Sequence, residues 1–162
     1  MGLRVSPESL AREWSLSFAD IDFVNAKPAG SRLGLAVQLK FFAAFGYFAT
    51  AAAEVPGESV SYLADQLGGN ETDLDGYGFS GRSGRRHCAE ILRHLGFRRM
   101  KRSDRMALVE WMATEVCPGG ASVGAMLDAV FLWCRDHKIY GSSRKEIERL
   151  VRLYPGWTPP LD

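Results

Sequence analysis

Apolar residues in this chain recur at spacings of three and four rather than two, and along its length they predict about seven helices. Ser17 stands before Phe18, Ala19 and Asp20 as an N-cap with an acid in the first turn, so a short helix runs to about Lys27, where Pro28 stops it. A second begins near Ser31 and reaches Phe48. From Leu33 onward it is apolar on nearly every side, broken by Gln38 and Lys40, which is the pattern of a helix buried all round. A third follows Pro56, with Val60, Leu63, Ala64 and Leu67 at helical spacing and Gly68-Gly69 as its stop. The polar stretch 69–82 reads as a loop. Ser83 is placed to cap a fourth helix that carries Cys88, Ile91, Leu92 and Leu95 on one face and ends at Gly96. Ser103 and Asp104 open a fifth that continues through Val116 to the breaker Cys117-Pro118-Gly119-Gly120. The sixth runs from about Ser122 to His137 and the seventh from Ser143 to Tyr154.

No alternating pattern long enough for a strand survives this reading, so the expected fold is all-α, arranged as two small helix-turn-helix-like bundles. The expected units are residues 1–99 and 100–154, with 155–162, rich in Pro and Gly, as a linker or tail at which a longer protein would continue.

Composition narrows the class without changing the picture. At 162 residues, 46% hydrophobic and 24% charged, the chain has the make-up of a globular protein and not of a disordered, collagen-like or disulfide-stapled one. Its longest apolar run, Phe41 to Ala53, is broken by Gly46 and Thr50 and falls short of the ~20 residues a bilayer crossing needs. Arg4, Glu8, Arg12 and Glu13 at the start are unlike a secretory signal, so the chain is expected in the cytoplasm. Three cysteines, Cys88, Cys117 and Cys134, fit neither a disulfide framework nor a zinc spacing and read as reduced small hydrophobes.

Charge does change the picture. The net charge of +1 conceals a segregation: Glu54 to Asp75 holds six acids and no Lys or Arg, whereas Arg82 to Arg105 holds nine basic residues against Glu90 and Asp104. Most of these basics fall around the ends of the fourth helix, as Arg82, Arg85 and Arg86 at its start and Arg98, Arg99, Lys101 and Arg102 beyond its end. Basic groups beside Ser83 and the free amides of a helix N-terminus suit phosphate oxygens. Arg93, further along, reads as a solvated bystander. Two other readings stay open: internal pairing of the basic segment with the acidic one, and docking of the basic loops onto an acidic protein surface. A weaker site of the same kind is the sixth helix, a short link and the seventh helix, with Ser142, Ser143, Arg144 and Lys145 where major-groove readers place their contacts.

Catalytic chemistry is not visible. His87, His94 and His137 have no metal-ligand spacing, and no nucleophile elbow, P-loop or dinucleotide fingerprint occurs. The carboxylate pairs Asp20/Asp22 and Asp73/Asp75 are two apart and cannot share a helix face. No metal, no cofactor and no enzymatic activity are therefore expected.

Trp14-Ser15-Leu16-Ser17 and the run Ser31 to Phe42 closely resemble the N-terminal region of the large Tn-three family bacterial transposases. Further matches follow in order at Val55-Pro56, Tyr62 to Leu67, Tyr77, Ser80-Gly81-Arg82, His87, Ile91, Gly96-Phe97-Arg98, Trp111-Met112, Cys134-Arg135 and Glu148 to Val151, so the resemblance spans residues 12 to 152. Departures fall at Tyr47, Cys88, Leu92 and Tyr140-Gly141. The resemblance implies an all-helical unit that binds double-stranded DNA at transposon terminal inverted repeats, near the bacterial nucleoid, with His87 joining the basic residues as a contact. It further implies that catalysis belongs to an RNase H-like core in the remainder of a longer transposase chain, of which this is the N-terminal part, or that the chain is a divergent stand-alone relative. A helical protein-interaction or assembly module without nucleic-acid binding is the alternative.

Overall fold

The computed structural model describes residues 6–116, 122–141 and 143–152, and helices dominate it, as the periodicity predicts. The chain divides into two compact units, Met1–Ala44 with Phe48–Leu95, and Phe45–Tyr47 with Gly96–Asp162. Arg98 and Arg99, expected at the end of the first unit, thus belong to the second.

The first unit holds α1 (Pro7–Glu13), α2 (Phe18–Asn25), α3 (Ala29–Phe45, whose last residue falls to the second unit), α4 (Gly57–Leu67) and α5 (Arg82–Leu95). The sequence pattern does not announce α1, because it buries none of its residues; Ser6 caps it through the Ser9 amide, and Pro7 supplies a preset first turn. In α2 the Ser17 side chain accepts from Asp20 N–H while Asp20 accepts from Ser17 N–H, a complete capping box. α3 is the core helix, with Leu33 to Leu39, Phe41 and Phe42 all buried. Its one long polar side chain in that run, Gln38, bonds both the carbonyl (2.8 Å) and the amide (2.9 Å) of Ala49, so its burial is compensated and the chain beyond the helix is pinned. Gly34 is needed because the Tyr77 ring lies where a methyl group would stand.

α5 begins at Arg82, with Arg85 N–H donating to Gly81 C=O at 3.0 Å. Ser83 is therefore inside the first turn and does not cap it, contrary to the expectation from the pattern. The reason lies one residue on: Gly84 is buried against the carbonyls of Gly78 and Phe79, a close approach that admits no side chain and draws the loop over the helix start.

The second unit contains α6 (Arg102–Trp111), α7 (Val123–Asp136) and α8 (Arg144–Arg152). α6 runs on as a π-helical turn, Met112–Val116, within the span expected for one helix. Two very short strands, β1 (Arg98–Arg99) and β2 (Ile139–Tyr140), pair in parallel, too short to leave an alternating pattern in the sequence. Leu108, Met112, Met126, Leu127, Val130, Phe131, Ile147 and Val151 are among the residues that build the core. Gly46, at φ +83°, ends α3 and lies so close to the Phe131 carbonyl that only glycine fits, while Tyr47 packs on the Phe131 ring at 5.0 Å between centroids. Among the described cysteines, Cys88 and Cys134 are free, and burial pushes both thiols up to about 11, as inert hydrophobes require; Cys117 lies outside the described residues. No described helix is long and apolar enough to cross a membrane.

Candidate nucleic-acid interface

α5 separates its two faces sharply. Gly84, His87 and Ile91 point into the first unit, whereas Arg82, Arg85, Arg86, Ala89 and Arg93 are exposed. Positions 82, 86, 89 and 93 follow one another at helical spacing, so the arginines form a continuous stripe along the outer face and Arg93 belongs to it. Glu90 flanks the stripe but is already engaged: it takes Lys27 at 2.7 Å and reaches Arg86 only at 3.7 Å. The Lys27 hydrogen bond holds the Glu90 carboxyl below the usual carboxylate range, against the opposing effect of burial. Among the described residues of this unit, none of these arginines forms an ion pair with an acid between Glu54 and Asp75. The acidic segment and the arginines of α5 share one unit without neutralising each other through contact.

His87, expected as a DNA contact, is only 1% exposed and cannot serve as one. Its Nδ1 lies 2.6 Å from the Tyr77 hydroxyl and its ring stacks on Tyr77, interplanar angle 15°. Burial pushes the Tyr77 phenol well above its ordinary value, with Cys88 and Glu90 adding to the effect. The phenol therefore stays protonated, and the hydroxyl and Nδ1 share one hydrogen bond between neutral groups. Burial also lowers the His87 pKa, opposed by Glu90 and assisted by Lys27 and Arg86, so the imidazole is neutral. Resemblance alone names this residue as a contact; its place three after Gly84 and four before Ile91, on the buried face of α5, is the signal that assigns it to the core.

In the second unit the basic residues differ in their freedom. Arg98 is held by Asp104 through two hydrogen bonds, 2.6 and 2.8 Å, and Asp104 also accepts from the Lys101 amide at 2.8 Å as α6 begins. These bonds, Arg98 first and then the Lys101 amide, hold the Asp104 carboxyl far below the ordinary range. Asp104 thus positions Arg98 and opens α6, roles that its three-residue distance from Lys101 foreshadows. Arg99, Lys101, Arg102 and Arg105 are exposed and form no ion pair among the described residues.

At the α8 start, Ser143 is exposed and spends its carbonyl on the amides of Glu146 and Ile147, both at 3.1 Å. Arg144 lies over the Tyr47 ring, 5.0 Å from its centroid, which sets the guanidinium on an aromatic platform that sequence reasoning misses. Lys145 is exposed; Ser142 lies outside the described residues. α7 is followed by Lys138 at φ +54°, by β2 and then by α8. Residues 2–153 match a family described as a domain of unknown function, DUF4158. No curated protein matches the chain.

Proposed function

The chain belongs to the DUF4158 family, and we propose, from its own surface, that it is a double-stranded DNA-binding module that acts by binding and not by catalysis. The observation that carries this reading is the outer stripe of α5, where Arg82, Arg85, Arg86 and Arg93 are exposed and, among the described residues, only Glu90 forms an ion pair with any of them. Guanidinium groups in a row along one helix suit the repeated phosphates of a duplex, which they contact by charge-assisted hydrogen bonds while releasing condensed counterions. The resemblance to the N-terminal region of Tn-three family transposases supports a finer reading: recognition of transposon terminal inverted repeats at the nucleoid, with strand cleavage left to another part of a longer chain. Arg99, Lys101 and Arg102 in one region of the second unit, and Arg144 and Lys145 at the α8 start, are the further contacts this reading assigns.

Titration of a labelled duplex at a series of salt concentrations tests it. Five or six phosphate contacts give a log-log slope of roughly −4 to −6. Absence of binding in low salt removes the DNA reading and leaves the protein-interaction module.

A further inference from the structure

Of the three large apolar residues exposed among the described ones, Phe18, Met106 and Leu132, the two most exposed lie one in each unit. Phe18, 90% exposed, opens α2, and Met106, 65% exposed, lies on α6. A single exposed apolar residue is ordinary, but each of these has a charged setting that matches the other. Phe18 shares a face of α2 with Asp22, four residues on, and Asp22 is exposed and forms no ion pair among the described residues. Met106 lines an open groove of about 660 Å³ whose other apolar residues are Met100 and Val109 and whose charged residues are Lys101, Arg102, Arg105 and Glu110.

We propose that the groove on α6 receives Phe18 and Asp22 from a second copy of this chain. The apolar lining is the kind of surface that takes a phenyl ring: methionines adapt their shape, and their sulfurs make favourable contacts with aromatic rings. An aromatic side chain seated in a pocket is also the commonest anchor of a protein interface. Lys101, Arg102 and Arg105 in the same lining complement the Asp22 carboxylate, which sits one helical turn from the anchor. A nucleic-acid backbone satisfies Lys101 and Arg102 but leaves the Met106 side chain in water, so the two occupants compete: the protein contact forms in the absence of DNA, and a duplex that engages these cations displaces it. Because the donor face and the acceptor groove are different surfaces, the contact is heterologous: each copy gives one α2 and accepts another, and assembly proceeds by addition to a ring or an open chain.

Sedimentation of the full chain without DNA tests this, using Phe18→Glu, which spoils the donor, and Met106→Glu, which spoils the groove. Both positions are exposed, and unchanged helicity by circular dichroism verifies the fold; Phe18→Ala and Met106→Ala serve if either charged variant loses it. The parent is expected to gain mass as concentration rises, while each variant alone associates at least about tenfold more weakly. An equimolar mixture of the two variants is expected to form a dimer and stop, since only one productive pairing remains. A parent that stays monomeric over a hundredfold range of concentration overturns the proposal, as does a mixture no more associated than its two components.

Discussion

The Tyr77 hydroxyl lies 2.6 Å from His87 Nδ1 with the two rings stacked, and this pair joins α5 to the loop before it. Tyr77 also covers the Gly34 position of α3, so one aromatic side chain links the core helix to the helix that bears the arginines. The scaffold beneath the proposed interface is an apolar and hydrogen-bonded assembly whose only buried histidine among the described residues is neutral.

Removing the Tyr77 hydroxyl tests that assignment. Tyr77→Phe leaves the buried Nδ1 without a partner, and the expected loss is about 1–3 kcal/mol of stability. Since neither ring is part of the arginine stripe, DNA affinity at a temperature where the variant is folded should stay within about twofold of the parent. A variant of unchanged melting temperature and much weaker binding would instead place His87 at the interface.

Protonation gives a second handle on the same histidine. Its folded pKa is depressed, chiefly by burial, so the unfolded chain takes up a proton that the folded chain resists. The associated stability is complete above the ordinary value of about 6.5 and is lost as pH falls below it toward the folded pKa. Urea melts between about pH 7.5 and 5.5 should show the decline in the parent, and His87→Gln should flatten it. Asp20 contributes a separate loss at lower pH. Burial raises its pKa, but hydrogen bonds from His94 and Ser17 and the charge of Lys40 outweigh that and hold it down, so its share disappears only as the carboxylate range is crossed.

Gly34→Ala is expected to be among the costliest small substitutions. The added methyl group meets the Tyr77 ring, and displacing that ring also breaks the His87 hydrogen bond, so overpacking of about 1–3 kcal/mol is a lower bound. Gly30, in the first turn of the same helix, has open space around it, and Gly30→Ala should stabilise by about 0.4–1 kcal/mol. Chemical denaturation of the two variants should move in opposite directions.

How much of the fold is legible in the sequence depends on what leaves a periodic trace. α3 is plain because seventeen residues of near-continuous apolar character admit no other reading, and α2 because Ser17 and Asp20 write a capping box into the sequence. α1 leaves no trace because it buries nothing, and β1 and β2 leave none because two residues cannot alternate. At the site, the exposed arginines are legible from composition. Their freedom is not, since it depends on which partner each acid has taken: Glu90 has Lys27, and Asp104 has Arg98. Tyr47 as a platform for Arg144 joins residues too distant in the chain for any local pattern to pair them.

The stripe on α5 makes a graded expectation. Arg85→Ala with Arg86→Ala should weaken duplex binding severely and reduce the steepness of the salt slope by about two, one for each phosphate that is no longer neutralised. Stability should hardly change, because Arg86 is exposed and reaches Glu90 only at 3.7 Å, and such surface pairs contribute about 0–1 kcal/mol. Arg93 stands on the same stripe, so Arg93→Ala should also weaken binding and lower the slope by about one; no change at that position would confine the contact to the first two turns of the helix.

Asp104 offers a test in the opposite direction. It grips Arg98 with both oxygens and accepts the Lys101 amide, so in the second unit it is the acid that keeps one guanidinium of the basic segment out of play. Asp104→Asn preserves an acceptor for the Lys101 amide and the size of the side chain, but removes the charge that holds Arg98. If Arg99, Lys101 and Arg102 contact phosphate as the DNA reading assigns, the variant should bind a duplex more tightly, and its salt slope should steepen by up to about one as Arg98 becomes available. The protein should remain folded, with a modest fall in melting temperature from the weakened start of α6. Affinity that drops in step with that melting temperature, and an unaltered slope, would show that this basic region does not meet the duplex and that binding resides in α5 alone.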